Sequence, residues 1–218
     1  MEAVPSSAAL EVGNQTWPKL KPFVSIFLVA LAVAPATIVL HEFGHYASQF
    51  ALGYQDVPPM SYDSTTMGIA PDDPSGLIDG LTSAAGPLVS LLLVLLGVAV
   101  ARGGGPVPLA LALIVADWIR VLGSLFFNGV LAGDSPVEGL SDGFSELAII
   151  PYHMGSMWGA VLVSVVDLVL PFVAAAFVYR ALRRRGVSLV GAKFLFAFVS
   201  MIAGWALWIG VLGPVVLP

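Results

Sequence analysis

Residues 23–52 read FVSIFLVALAVAPATIVLHEFGHYASQFAL and carry one acidic residue, Glu42, and no lysine or arginine. A helix of roughly 20 apolar residues crosses the ~30 Å hydrocarbon layer of a bilayer. The stretch therefore predicts a transmembrane helix that is longer than a bilayer requires. Pro35 is a plausible kink, and Gly53 is a plausible stop.

Four further apolar segments follow, over residues 81–101, 108–131, 157–179 and 190–217. The chain of 218 residues is 58% hydrophobic and 11% charged, whereas soluble domains are about 25% charged. The mean hydropathy of +0.93 also indicates a membrane protein. We expect an all-α polytopic membrane protein with about five transmembrane helices. Residues 1–21 would form a cytosolic segment and residues 22–218 a single membrane domain. In the loop after the first span, residues 57–62 and 65–70 could pair as a short β-hairpin.

The charges are distributed asymmetrically about these spans. With five spans, one side receives all basic residues except Arg120, namely Lys19, Lys21, Arg102, Arg180, Arg183, Arg184, Arg185 and Lys193. The opposite loops carry acidic residues and no lysine or arginine. The positive-inside rule then predicts a cytoplasmic N-terminus and an external C-terminus. The net charge of −5 and the absence of a basic stripe argue against a nucleic-acid partner.

Residues 41–45 form the sequence His-Glu-Phe-Gly-His, an H-E-x-x-H pattern on the predicted helix. Positions i and i+4 share one helix face, so His41 and His45 can bind one Zn²⁺. Glu42 can then act as general base on a zinc-bound water. Histidine and glutamate are rare in bilayer segments, and their presence there points to function. The chain has no cysteine, so a thiolate site is excluded.

A third metal ligand is needed, and topology restricts the candidates. The loop on the same side as the two histidines contains Asp134, Asp142, Glu146 and His153. Two aspartates inside predicted spans, Asp117 and Asp167, are further candidates. Asp117 and Arg120 lie three residues apart, which suggests a structural ion pair or a supporting role around the zinc ligands.

The motifs together resemble the site-2 protease family of intramembrane zinc metalloproteases. After H-E-x-x-H, residues 84–90 read AAGPLVS, similar to the A-G-P-x-x-N pattern of that family, with Ser90 at the asparagine position. Asn128 and the stretch Leu140-Ser141-Asp142-Gly143 loosely match its third motif, an asparagine followed by Leu-Asp-Gly. The resemblance implies Asp142 as the third ligand and Asn128 as a supporting residue. The topology leaves His153 and Asp134 as alternatives for the third ligand.

Three functions are compatible with these features. The first is a zinc metalloendopeptidase that hydrolyses membrane-embedded protein or peptide substrates, with Glu42 as general base. The second is a catalytically inactive zinc-binding membrane scaffold. The third is a metal- or proton-linked transporter, suggested by the charged residues within the spans. In every case the lipid bilayer is an expected partner.

Family members are described with the zinc displaced toward the cytoplasmic face. The charge distribution instead places the histidines near the external side. The charge distribution and the resemblance would agree if this protein is inverted in the membrane relative to the family. They would also agree if one of the predicted spans is a re-entrant segment that does not cross the bilayer.

Overall fold

The computed structural model of the protein describes residues 8–62, 64–72, 75–124 and 146–217. The long helices are α1 (Ala8–Leu52), α2 (Leu77–Arg102), α3 (Val107–Ser124), α5 (Met157–Arg184) and α6 (Val190–Leu207). A 3₁₀ turn, Glu146–Ala148, leads into the short helix α4 (Ile149–His153). A π-helical turn, Trp208–Leu212, connects α6 to the short helix α7 (Gly213–Val216). The helical part of the fold prediction is confirmed.

Four of the described helical segments are long and apolar enough to cross a membrane: Leu20–Leu52, Leu77–Arg102, Met157–Arg184 and Val190–Val216. The chain is therefore a multi-pass membrane protein. The fifth predicted span, 108–131, is helical over Val107–Ser124, and its remainder lies outside the described residues. The count of five spans is not confirmed.

Helix α1 begins at Ala8, well before the apolar run, and ends where Gly53 takes a left-handed backbone with φ of 84°. Its apolar part, Leu20–Leu52, has 33 residues and is about 50 Å long at 1.5 Å per residue. This length exceeds the ~30 Å of hydrocarbon. The helix must tilt or extend beyond the bilayer.

Helix α3 lies at the centre of the bundle, in contact with α1, α2, α5 and α6. Its residues 110–117 are all buried, and Leu111, Ile114 and Val115 are fully so. A helix that is apolar on every side is expected in such a position, since no face of it needs to meet water. The charged residues of α3 therefore lie among protein helices and away from lipid.

Arg120 on α3 holds two aspartates. Its Nε donates to Asp117 Oδ1 at 2.8 Å, and its two terminal nitrogens donate to the carboxylate of Asp167 on α5 at 3.2 and 2.8 Å. Both aspartates are 3% exposed. The predicted Asp117–Arg120 pair is thus present and extends to a residue 47 positions further along the chain.

The loop between α1 and α2 contains one antiparallel bridge, Gln55–Ile69, and no strand among its described residues. The predicted hairpin is not confirmed. Pro58 and Pro59 fall within its first half, and proline cannot donate a backbone hydrogen bond to a ladder. Side chains fix this loop instead. Gly68 donates its N–H to Gln49 Oε1 at 2.7 Å, and Trp208 Nε1 donates to the Tyr62 carbonyl at 2.9 Å.

Removing the cation of the buried network should destabilise the protein strongly. Arg120→Gln leaves two buried carboxylates without their counter-charge, so we expect a loss of about 3–5 kcal/mol in the free energy of unfolding. Unfolding of the detergent-solubilised protein, followed by tryptophan fluorescence, measures it. Arg183→Gln is the control, because Arg183 is exposed and its change should stay within about 0.5 kcal/mol. Equal stability of the two variants would contradict a structural role for the network.

Candidate metal centre

The two histidines of the H-E-x-x-H sequence lie near the end of α1 and face α2. His45 is 9% exposed, and its ring lies directly against Gly86 of α2. A β-carbon at position 86 would overlap Nε2 of this imidazole. At Gly44, a β-carbon would come within 2.7 Å of the Ala85 carbonyl oxygen. Two glycines, one on each helix, therefore permit the close crossing that seats His45.

Each imidazole is oriented by a hydrogen bond between its Nδ1 atom and a group of α2. His45 Nδ1 lies 2.8 Å from the Thr82 carbonyl oxygen, and His41 Nδ1 lies 2.9 Å from Ser90 Oγ. A carbonyl oxygen only accepts, so His45 Nδ1 carries a proton and donates it to this bond. In the neutral ring, Nε2 then has a free lone pair. An Nδ1–H bonded to a backbone carbonyl is the usual second-shell arrangement of a metal-binding histidine.

Glu146, in the 3₁₀ turn, completes a group of three potential ligands. Its Oε2 lies 3.3 Å from His41 Nε2 and 3.6 Å from His45 Nε2, and the two Nε2 atoms are 3.2 Å apart. Zinc bonds to nitrogen and oxygen are about 2.0–2.2 Å, so two ligand atoms in a tetrahedral site lie about 3.3 Å apart. The observed spacings match this value, and the donor set fits zinc.

The electrostatics of the group also favour a cation. Partial burial alone would raise the pKa of Glu146, but its hydrogen bonds to His41 and His45 and their attraction hold this pKa below its usual range. The carboxylate is therefore ionised at neutral pH. That attraction comes from protonated imidazoles. When both imidazoles are neutral, their Nε2 lone pairs and the carboxylate oxygen repel each other unless a bound cation lies between them.

A cavity of about 300 Å³ adjoins this group. His41, Glu42, Ser90 and Glu146 line one part of it, and its other lining residues include Asp117 and Arg120 of α3, Trp205, Ile38 and Leu113. Arg120 is the only lysine or arginine among the described residues that line it. Glu42, Asp117 and Glu146 line the cavity, and Asp167 shares the Arg120 guanidinium with Asp117. Excess negative charge within a membrane domain is costly, and a bound divalent cation would offset it.

Glu42, the predicted general base, contributes to the cavity wall and is partly buried. Its backbone carbonyl accepts a hydrogen bond from Thr65 Oγ1 at 3.0 Å, which ties the α1–α2 loop to this turn of α1. Glu42 therefore lines the same cavity as His41 and Glu146.

His41 and Glu42 line one cavity together with two of the predicted supporting residues, Asp117 and Arg120. His45 lies next to His41, in the group of three potential ligands. Asp142, Asp134 and Asn128 lie outside the described residues, as does the side chain of His153. Their predicted roles stay predictions. Glu146 shares the acidic loop with Asp142, and its position on the same side as the histidines was the only sequence signal for it.

The Ser90 hydroxyl should strengthen metal binding through His41. Ser90→Ala removes the hydrogen bond to His41 Nδ1, and outer-sphere changes of this kind weaken metal affinity by about 10–100-fold. Competition with a zinc chelator measures the effect on the detergent-purified protein. Ser200→Ala is the matched control, because Ser200 is a buried helical serine that donates to the carbonyl of Phe196 on its own helix. Equal zinc affinities in the two variants would show that Ser90 does not orient a ligand.

Comparison with protein-family models, with curated proteins and with solved structures finds no match to this chain.

Proposed function

We propose that this protein is an intramembrane zinc metalloprotease that hydrolyses peptide bonds of membrane-embedded substrates. His41, His45 and Glu146 would hold the metal. The observation that carries the proposal is the convergence of three ligand atoms at tetrahedral spacing, beside a cavity that also contains Glu42. The resemblance of H-E-x-x-H and of residues 84–90 to site-2 proteases supports the same reading.

Zinc bound at this site would polarise the scissile carbonyl and lower the pKa of a coordinated water. The protein's own part in the reaction falls to Glu42. Its carboxylate accepts a proton from the attacking water as the water oxygen bonds to the carbonyl carbon. The same carboxylate then delivers the proton to the amide nitrogen as the C–N bond breaks. The products are a carboxylic acid and an amine.

The position of the cavity suits a membrane-embedded substrate. It lies among α1, α2, α3 and α6, with apolar walls that include Ile38, Leu113 and Ile209. The backbone of a substrate helix has no free donors or acceptors, so a substrate segment must be unwound before it reaches Glu42. The polar groups of Ser90, Asp117 and Arg120 provide a wall against which an unwound segment is less costly than in lipid.

The arrangement of charges supports the proposed orientation, with the N-terminus in the cytoplasm. Arg185 at the end of α5 contacts the turn after α2, and Lys21 and Lys193 line one common cavity. These basic residues thus gather at one end of the bundle. The histidines lie toward the other end of α1, and the turn of Glu146 lies beside them. We propose that this end of the bundle faces the external side.

The identity of the third ligand can be tested by two matched variants in one loop. We expect wild-type protein to hold about one zinc per chain. Both His45→Ala and Glu146→Gln should lose it, whereas Asp142→Asn should retain it. Metal analysis by mass spectrometry of the detergent-purified protein gives the stoichiometry. Loss in Asp142→Asn with retention in Glu146→Gln would transfer the third position to Asp142. His153→Ala tests the remaining histidine in the same way. No zinc in the wild type after mild reloading would overturn the proposal.

A separate variant distinguishes an enzyme from an inactive scaffold. Glu42→Gln keeps the size of the side chain but cannot accept the proton, so zinc should remain while peptide-bond cleavage falls by at least about 100-fold. Cleavage of candidate transmembrane peptides in reconstituted vesicles is measured by mass spectrometry of the products. Cleavage that persists in Glu42→Gln at the wild-type rate would exclude Glu42 as the base.

A further inference from the structure

A second cavity of about 310 Å³ lies where α2 and α5 end, at the basic end of the bundle. Its lining includes Arg102, Phe177, Arg180, Arg184 and Arg185, and we call it the arginine pocket. Arg180 and Arg184 are four residues apart on α5 and therefore share one face of the helix. Like charges at this spacing repel, so the pocket is built from groups that favour a counter-ion.

Arg185 differs from the other three arginines, because its guanidinium is already used. It donates to the carbonyl oxygens of Ala101, Gly104 and Gly105 at 3.1, 2.9 and 3.0 Å. These bonds join the end of α5 to the α2–α3 turn. They hold the walls of the arginine pocket at a fixed separation.

The charges of Arg102, Arg180 and Arg184 are not balanced by the protein. All three are exposed, and in the part of the chain that the structure describes none has an acidic group within 4 Å. Among the described residues, no Asp or Glu lines the pocket. Guanidinium groups bind phosphate oxygens with paired hydrogen bonds, which makes a phosphate the matching ligand.

The surroundings of the pocket identify the source of that phosphate. The Arg102 guanidinium carbon lies 5.3 Å from the centre of the Phe177 ring, which is 45% exposed. Toward the middle of α5, the exposed surface continues as apolar side chains, including those of Val166, Val169, Leu170 and Val173. A phospholipid can place its headgroup among the arginines and its acyl chains along this apolar face. Free phosphate would contact only the arginines and not the apolar face.

We propose that the arginine pocket binds the headgroup of an anionic phospholipid. Basic pockets at the ends of membrane helices bind such headgroups, and each arginine near the surface contributes about 1 kcal/mol. The site is independent of the metal centre, because none of its residues lines the cavity beside Glu42.

The test is a titration of the full-length, detergent-solubilised protein with phosphatidylglycerol, followed by native mass spectrometry. We expect Arg102→Gln and Arg180→Gln each to weaken binding about five-fold. Arg183→Gln is the matched control, since it removes the same charge one residue from Arg184 but lies outside the pocket. It should leave the affinity unchanged. Phosphatidylcholine should bind less tightly than phosphatidylglycerol to the wild type.

Three outcomes would overturn the proposal. The first is an equal loss in Arg183→Gln, which would show attraction to net charge alone. The second is equal binding of the two lipids. The third is displacement of phosphatidylglycerol by inorganic phosphate at equal concentration, which would identify a free-phosphate site. If Arg102→Gln proves unstable, Arg180→Gln decides the result, because Arg180 is exposed and makes no described hydrogen bond.

Discussion

The close crossing of α1 and α2 is the constraint on which the metal centre depends. Gly44 and Gly86 bring the two helix backbones together, and His45 occupies the narrow space that the missing side chain at position 86 leaves. From that distance α2 can supply the Thr82 carbonyl to one imidazole and the Ser90 hydroxyl to the other. The contacts of Ala85 with Gly44 and of Gly86 with His45 thus explain the small residues of the A-G-P sequence. Three residues after Pro87, Ser90 supplies a hydrogen-bond partner to His41. This is the position where the family that the sequence resembles has asparagine.

Burial of α3 explains how a membrane domain tolerates its internal charges. Asp117 and Arg120 would be costly toward lipid, but α3 is enclosed by four helices. Asp167 of α5 shares the guanidinium, so one cation orients two carboxylates and joins two helices. The same network forms part of the wall beside the proposed metal ligands. The ion-pair network and the proposed metal ligands therefore lie in the same protein interior. Electrostatic interactions are stronger there than in water, because the dielectric constant is low.

The sequence predicts best what depends on local pattern. Apolar runs predict where α1 ends, at Gly53, and where the helices at Met157 and Val190 begin. Helical spacing predicts that His41 and His45 share one face. The pairing of Arg120 with Asp167 does not, because its partners are far apart in the chain. Glu146 is similar. It lies in a short 3₁₀ turn with no periodicity, and only the packing of that turn against α2 and α5 brings it to the histidines. The resemblance to a Leu-Asp-Gly motif predicts Asp142 as the third ligand instead.

The loop between α1 and α2 is attached both to α1 and to the turn that follows α6, and both of these elements line the cavity. Thr65 and Gly68 bond to Glu42 and Gln49, which lie seven residues apart on α1, while Tyr62 accepts from Trp208 beyond α6. The cavity wall on that second side includes Trp205 and Ile209. The loop therefore links two walls of the cavity through hydrogen bonds at both of its ends. Any motion that draws the turn after α6 away from the end of α1 must lengthen this loop or release one of its hydrogen bonds, so separation of these two elements and movement of the loop are mechanically coupled.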